Sequence, residues 1–282
     1  MRRYVLVAVA LALAGSCSRA PVFVPEVVVA QAATLPADPA DPAWNALPVH
    51  RAPLLLQDLV EPRLMTPSTA EVRVRAASDG TRVAFRLEWD DASKEDVPGP
   101  AMFTDACAVQ LPARTEPDVP APQMGEIGKP VEITHWRATW QAVVDGRADD
   151  IHALYPGAAT PHYPFDAESL KAGSPEQVEM ASRYAPARNL GNTMAGPRTK
   201  PVEDLVAEGP GSLQPAPRTV SDGKGTRLEA GWAVVVSRPL PAGLAPGGRT
   251  EVAFAIWQGN AGEVGARKMR SAWTPMKLEA RP

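Results

Sequence analysis

The chain has 282 residues, enough for one large domain or two small ones, and carries 29 basic against 32 acidic residues for a formal net charge of -3. That balance, with no basic run, gives no footing for a polyanion or nucleic-acid partner. The 31 prolines are roughly double the usual share, and proline is barred from helix interiors and central sheet ladders. With 45% hydrophobic residues, this composition predicts strands joined by irregular loops rather than a helical bundle.

Arg2 and Arg3 precede an unbroken apolar run from Tyr4 to Ala14, followed by GSCSRA. A positive start, a short apolar stretch and small residues after it form a secretory signal. The run is too short to span a bilayer as a helix. Residues 1–20 are therefore read as a signal peptide and 21–282 as a single exported domain, periplasmic in a two-membrane bacterium. LAGSC also reads as a degenerate lipobox that would lipidate Cys17, with Ala14 where leucine is preferred. Otherwise cleavage falls near Ala20 or within AQAA at 30–33. Either way Cys107 is left alone, so no intramolecular disulfide is expected.

The strand signals follow in chain order. EVRVRAA (71–77) alternates Val72 and Val74 with charge. TRVAFRLEWDD (81–91) puts Val83, Phe85, Leu87 and Trp89 on one face, and SDG (78–80) between the two reads as a hairpin turn. DACAVQLP (105–112) and VEITHWRATWQAVV (131–144) read as further strands. GWAVVVSRPL (231–240) and TEVAFAIWQG (250–259) are apolar enough to be buried, and RSAWTPMKLEA (270–280) is the last. Between 145 and 225 the pattern weakens, with a short helix expected near DAESLKA or PEQVEMASRYA. The fold expected is all-β, an antiparallel β-sandwich closed by its first and last strands, with a long irregular insert and a few short helices.

No CxxCH, HExxH, phosphate-binding loop, GxSxG or GxGxxG is present. His50, His135, His152 and His162 do not fall at metal-ligand spacing. His135 reads as a satisfied, buried strand histidine. The acids of WDDASKED (89–96) lack the spacing and glycine of a calcium loop and read as a solvated loop. No catalytic pair stands out, and nothing in the residues argues for an enzyme.

Six stretches, in order, carry a resemblance: DPADPAWNALP (38–48), VRVRAASDGTRVAFRLEWDD (72–91), FTDACAVQLP (103–112), QMGEIGKPVEITHWRA (123–138), ARNLGN with VEDLVAEGPGSL (187–192 and 202–213), and VAFAIWQGNAGEVGARKMRSAW (252–273). Together they resemble the haem b-binding gamma subunit of type II dimethyl sulfoxide reductase-family molybdoenzymes. That group includes ethylbenzene dehydrogenase, dimethylsulfide dehydrogenase, selenate reductase and chlorate reductase. The resemblance implies a β-sandwich holding one non-covalent haem b. It implies an electron relay between an iron–sulfur beta subunit, which serves a molybdenum-containing alpha subunit, and an external carrier such as a soluble cytochrome c. It also implies methionine and lysine as axial iron ligands. The methionine, in the loop before the VEITHWRA strand, is here Met124, with Met102, Met269 and Met276 as rivals. The lysine, in GARKMRS, is here Lys268, with Lys277 as rival. An ammonium has no lone pair, so Lys268 must be neutral to bind iron, which burial and a second cation on its strand face would favour. Arg270 is expected on that face and Arg267 on the other. Arg267 or Arg270 would pair with the haem propionates, and Trp136, Phe254 and Trp257 would wall the pocket. The competing readings are a carbohydrate-binding sandwich without haem, using strand-face aromatics, and a structural lipoprotein.

Overall fold

The computed structural model describes residues 25–115, 118–148, 154–157, 174–183, 190, 192 and 198–280. The signal segment with Cys17, the stretches holding His152 and His162, DAESLKA and most of ARNLGN lie outside the described residues. Among the described residues, fourteen strands form two layers that share one strand. The first layer runs in the order β10 (Asp222–Leu228), β11 (Gly231–Pro239), β5 (Arg82–Asp90), β4 (Glu71–Ser78), β1 (Val27–Gln31) and β14 (Thr274–Leu278), with β2 (His50–Pro53) also paired to β4. The second layer contains β12 (Arg249–Trp257), β6 (Ala106–Pro112), β7 (Val131–Arg137), β8 (Val202–Ala207) and β9 (Gln214–Pro215), extended on the other side by β13 (Met269–Arg270) and β3 (Leu55–Leu56). β12 belongs to both: Arg249 to Val252 pair with β14, and Ala253 to Trp257 pair with β6.

The sandwich is all-β and mostly antiparallel, as the alternation of the strands predicts. The β4–β5 hairpin closes around Asp79 and Gly80 as expected, with the Asp79 carboxylate accepting from the Thr81 and Arg82 amides at 2.8 Å each. The first strand does sit beside the last, but β1 runs parallel to both β14 and β4, so the sheet is mixed. The stretch 131–144, expected as one strand, divides. β7 stops at Arg137 and α1 (Ala138–Val144) begins, because the Ala138 amide is taken by the Asp105 carbonyl and Gln141 is drawn into the core. The expected helix over PEQVEMASR is present as α2 (Pro175–Arg183).

The core lies between the layers. Phe85 meets Phe254 edge-on at 6.3 Å, and Trp136 meets Trp89 at 6.4 Å and Trp232 at 5.2 Å. Such pairs add to area burial through their quadrupoles. Gln141 Oε1 accepts from Trp136 Nε1 and from the Gly225 amide, so the buried indole is satisfied. β10 was invisible to periodicity because it is DGKGTRL. Its glycines are required by packing: a Cβ on Gly225 would lie 2.2 Å from Trp136, and one on Gly223 2.4 Å from Val202. Cys107 is free and buried in this core, and burial pushes its thiol pKa up, so it is inert there.

Strand alternation then decides what the second layer shows outward. Cys107, Val109 and Leu111 of β6 face the core, so Ala106, Ala108 and Gln110 face away. The same alternation sends Phe254 and Ile256 inward and Ala253, Ala255 and Trp257 outward.

Candidate cofactor-binding site

The outer face of the second layer is roofed by loops, and between sheet and loops lies a cavity of about 730 Å³. That volume falls within the roughly 300–1,000 Å³ of small-molecule and cofactor sites. Its floor is small. Register places Ala255 against Ala108, Trp257 against Ala106, and Ala253 against Gln110. Four alanines on two adjacent strands leave a bare strip flanked by longer side chains. On one side stand Ile133, His135 and Arg137 of β7. On the other stand Lys268 and Arg270 at β13.

Met124 enters from the loop before β7. Its φ of +66° is left-handed, a region that a side chain other than glycine, asparagine or aspartate seldom occupies. Neighbouring contacts hold it there. The Gly209 amide donates to the Met124 carbonyl at 2.7 Å, the Gly125 amide donates to the Ala121 carbonyl at 2.9 Å, and Gln110 Nε2 of the floor donates to the Pro122 carbonyl at 3.0 Å. Gly125 is also left-handed at +82°, and a Cβ there would lie 2.9 Å from the Lys129 carbonyl oxygen, so this turn admits only glycine. The Met124 side chain packs on the outer-face cluster of Val131, Ile133, Ala207 and the alanines.

Lys268 enters from the opposite side. Its neighbour Met269 is buried in the core beside Ile256, so Lys268 and Arg270 point the other way, into the cavity. Buried Gln57 fixes this segment. Its amide donates to the Lys268 carbonyl at 3.1 Å, and its Nε2 donates to the Ala266 and Val60 carbonyls. Lys268 Nζ lies 5.2 Å from the centre of the Trp257 ring, and Trp257 Nε1 is held by the Gly265 carbonyl at 3.1 Å. Burial, with Arg270 beside it, lowers the Lys268 pKa to about 8. Desolvation and a like charge both disfavour the ammonium.

His135 reads differently here than in the sequence. It is not a satisfied core histidine: it lines the cavity, meets Trp257 at 5.1 Å and Trp140 at 5.6 Å, and its Nε2 finds no hydrogen-bond partner among the described residues. Burial, and then the charges of Arg137, Lys268 and Arg198, hold its pKa well below the usual histidine value, so it is neutral.

The other candidates go elsewhere. Trp136 and Phe254 have their rings in the core between the layers, because strand alternation turns them away from the cavity; Phe254 borders it only from the sheet side. Trp257 does wall the cavity. Arg267 lies over Phe103, 5.6 Å from the ring centre, and does not line the cavity, whereas Arg270 does. Met269 and Met276 are buried in the core, Lys277 lies on β14, and Met102 is exposed beside the Tyr155 hydroxyl. WDDASKED is not simply a solvated loop: Asp91 is buried. The residues that sequence reasoning missed are Gln57, Gln110, Arg137 and the four alanines. An outward face of alternating alanines was the one visible signal.

Two comparisons with known proteins agree on kinship. The family model described as ethylbenzene dehydrogenase matches residues 41–269. A protein of Haloferax mediterranei, assigned by name as a respiratory nitrate reductase heme subunit, is 25% identical over 245 residues, covering 84% of this chain and 67% of its own. Among solved structures, a family 9 carbohydrate binding module from Caldicellulosiruptor kristjanssonii in complex with glucose matches at 9% identity and a TM-score of 0.43, covering 91% of this chain and 96% of its own. A protein from Bacteroides uniformis titled as carbohydrate-binding matches at 10% identity and a TM-score of 0.45, covering 90% and 98%. The family match spans the two strands that carry the alanine floor and the segments that carry Met124 and Lys268: the chain belongs to the ethylbenzene dehydrogenase family.

Proposed function

We propose that this chain is an exported, non-catalytic electron-transfer subunit that holds one haem b in the outer-face cavity, with Met124 and Lys268 as its axial ligands. The observation that carries the reading is the convergence of these two side chains, 144 positions apart in sequence, on one cavity from opposite sides of a bare alanine strip. The residues present fit the group. The strip leaves room for a large flat ring, the thioether is a soft donor, and the amine is already pushed toward its neutral form. Arg137 and Arg270 supply cationic side chains to the same cavity.

Bound haem supplies a one-electron couple. Met124 and Lys268 would both hold the iron, which would leave no site for a small substrate and suit a relay rather than a catalyst. A thioether ligand favours the reduced metal and raises the potential. Gln57 and the Gln110–Pro122 contact fix the two ligand-bearing segments, so neither ligand has to be ordered when the ring enters. The partners implied are an iron–sulfur beta subunit and a molybdenum-containing alpha subunit, with a soluble cytochrome c as the external carrier. The localisation implied is periplasmic, with membrane attachment only through lipid on Cys17.

The test is the visible spectrum of the exported protein, oxidised and dithionite-reduced, with a pyridine haemochrome assay. One b-type haem per chain with sharp reduced bands is expected, lost or made high-spin in Met124→Ala and Lys268→Ala. A protein that stays colourless when haem is supplied during folding overturns the reading.

A further inference from the structure

The cavity is not electrically uniform. Arg137 stands at one end of it, on the same face of β7 as His135 and opposite Ala106 of the floor. Its guanidinium lies 5.3 Å from the centre of the Trp140 ring, and its Nε has no hydrogen-bond partner among the described residues. Arg198 lies flat on the same indole, 3.8 Å from its centre, and reaches Glu203 at 3.8 Å. Two guanidinium groups thus share one aromatic ring, with the Glu203 carboxylate beside them. A buried donor without an acceptor costs free energy, and burial together with Arg198 makes the Arg137 charge harder to hold. An anion arriving there would relieve both.

We infer that Arg137, backed by Arg198 on Trp140, is the anion-binding end of the cavity and takes a carboxylate of the bound cofactor, a haem propionate. This rests on the haem reading and goes further by fixing which way round the ring sits. Arg270 also lines the cavity but lies beside Lys268. Arg137 is two strands from Trp257, about 10 Å at the usual strand spacing, so a carboxylate held there stands clear of the segment that carries Lys268. A guanidinium is suited to this because its planar fork meets a carboxylate with two parallel hydrogen bonds.

The experiment loads the full chain with haemin and, separately, with the iron complex of protoporphyrin IX dimethyl ester, in which both carboxylates are capped. Release to excess apomyoglobin is followed by absorbance. Arg137→Gln is expected to release haemin roughly ten- to hundredfold faster, to release the ester at the wild-type rate, and to keep the wild-type absorption bands. Arg137→Lys should fall between. Unchanged haemin release in Arg137→Gln overturns the inference, as does equal acceleration of haemin and ester, which marks a merely structural role. Should the glutamine variant fail to fold, the wild type decides: equal release of the two porphyrins overturns the inference. A wild type that takes up neither porphyrin overturns the haem reading itself and the inference with it.

Discussion

Lys268 and Trp257 are in contact across the cavity wall, the amine 5.2 Å from the ring centre. An aromatic face attracts an ammonium, yet the Lys268 pKa falls to about 8. Burial and the Arg270 charge therefore outweigh the ring. Among the described residues no carboxylate offsets them. This wall tolerates a cation without fixing it, as the proposed role of Lys268 as an iron ligand requires.

The pH dependence of haem uptake follows from that balance. Below pH 8 the amine is mostly protonated, and each further unit down costs about tenfold in affinity, or about 1.4 kcal/mol. Above pH 8 the proton is already gone and the curve flattens. A lysine at its ordinary value would carry the rise to about pH 10.4. His135 is neutral throughout and adds no step. Haem titrations from pH 6 to 10 should show a break near 8 in the wild type and none in Lys268→Ala. A wild-type rise continuing beyond pH 9.5 would count against Lys268 as the ligand.

Met124 offers a way to separate ligand from scaffold. Its left-handed backbone is one that glycine adopts without strain. Met124→Gly relieves about 1–2 kcal/mol of backbone cost, against the lost packing on Val131 and Ile133 and the entropy of a glycine. The haem-free variant is expected within about 1 kcal/mol of wild-type stability by urea unfolding, while its haem becomes high-spin. Large destabilisation with unchanged spectrum would show that the side chain serves only to pack.

The alanine floor predicts a steric test. Ala108→Leu adds bulk toward an open cavity rather than into the packed core, so unfolding free energy should stay within about 1 kcal/mol of wild type. Haem binding should be lost, because the added side chain would fill the bare strip that leaves room for the ring. The same change in the core, at Cys107, would overpack it. Retained haem in Ala108→Leu, with wild-type bands, would place the ring elsewhere.

The sequence made some of this visible and hid the rest for physical reasons. Strands with one apolar face, such as Arg82–Asp90, were legible because alternation reports burial. β10 was not, because its side chains yield space to Trp136 and Val202. Trp136 was misplaced, and Phe254 meets the cavity only from the sheet side, because an aromatic on a strand looks alike on either face; only register against Cys107 and Val109 tells core from cavity. For the site, Met124 and Lys268 were reachable through resemblance, and Arg270 rather than Arg267 through alternation from Lys268. Gln57 and Gln110 were out of reach, since each acts through backbone carbonyls that are distant in sequence or lie in an irregular loop.

The buried acids beside β6 make a last prediction, independent of the cofactor. Asp105 accepts from the Glu95 and Gly259 amides and from Trp232 Nε1, at 2.8–3.0 Å, and so ties three segments to the start of the floor strand. Burial, with Asp91 as a like-charged neighbour, raises its pKa to about 6, and the Asp91 pKa is raised as well, chiefly by burial. A carboxyl whose folded pKa exceeds its unfolded value contributes stability that is full below about pH 3.8 and lost as pH rises through 6. Asp91→Asn removes the like charge while its Oδ1 can still accept from the Ser93 amide. It gives up some attraction to Arg227, whose hydrogen bond is to the Asp91 backbone and persists. The variant is expected to be about 1 kcal/mol more stable than wild type at pH 7, with the difference shrinking toward pH 4. Carboxylates with lowered pKa, such as Glu88 and Asp38, slope the opposite way but are common to both proteins, so the difference between two urea-unfolding series isolates the pair. Parallel stability curves across pH 4–7 would show that Asp91 and Asp105 do not repel each other.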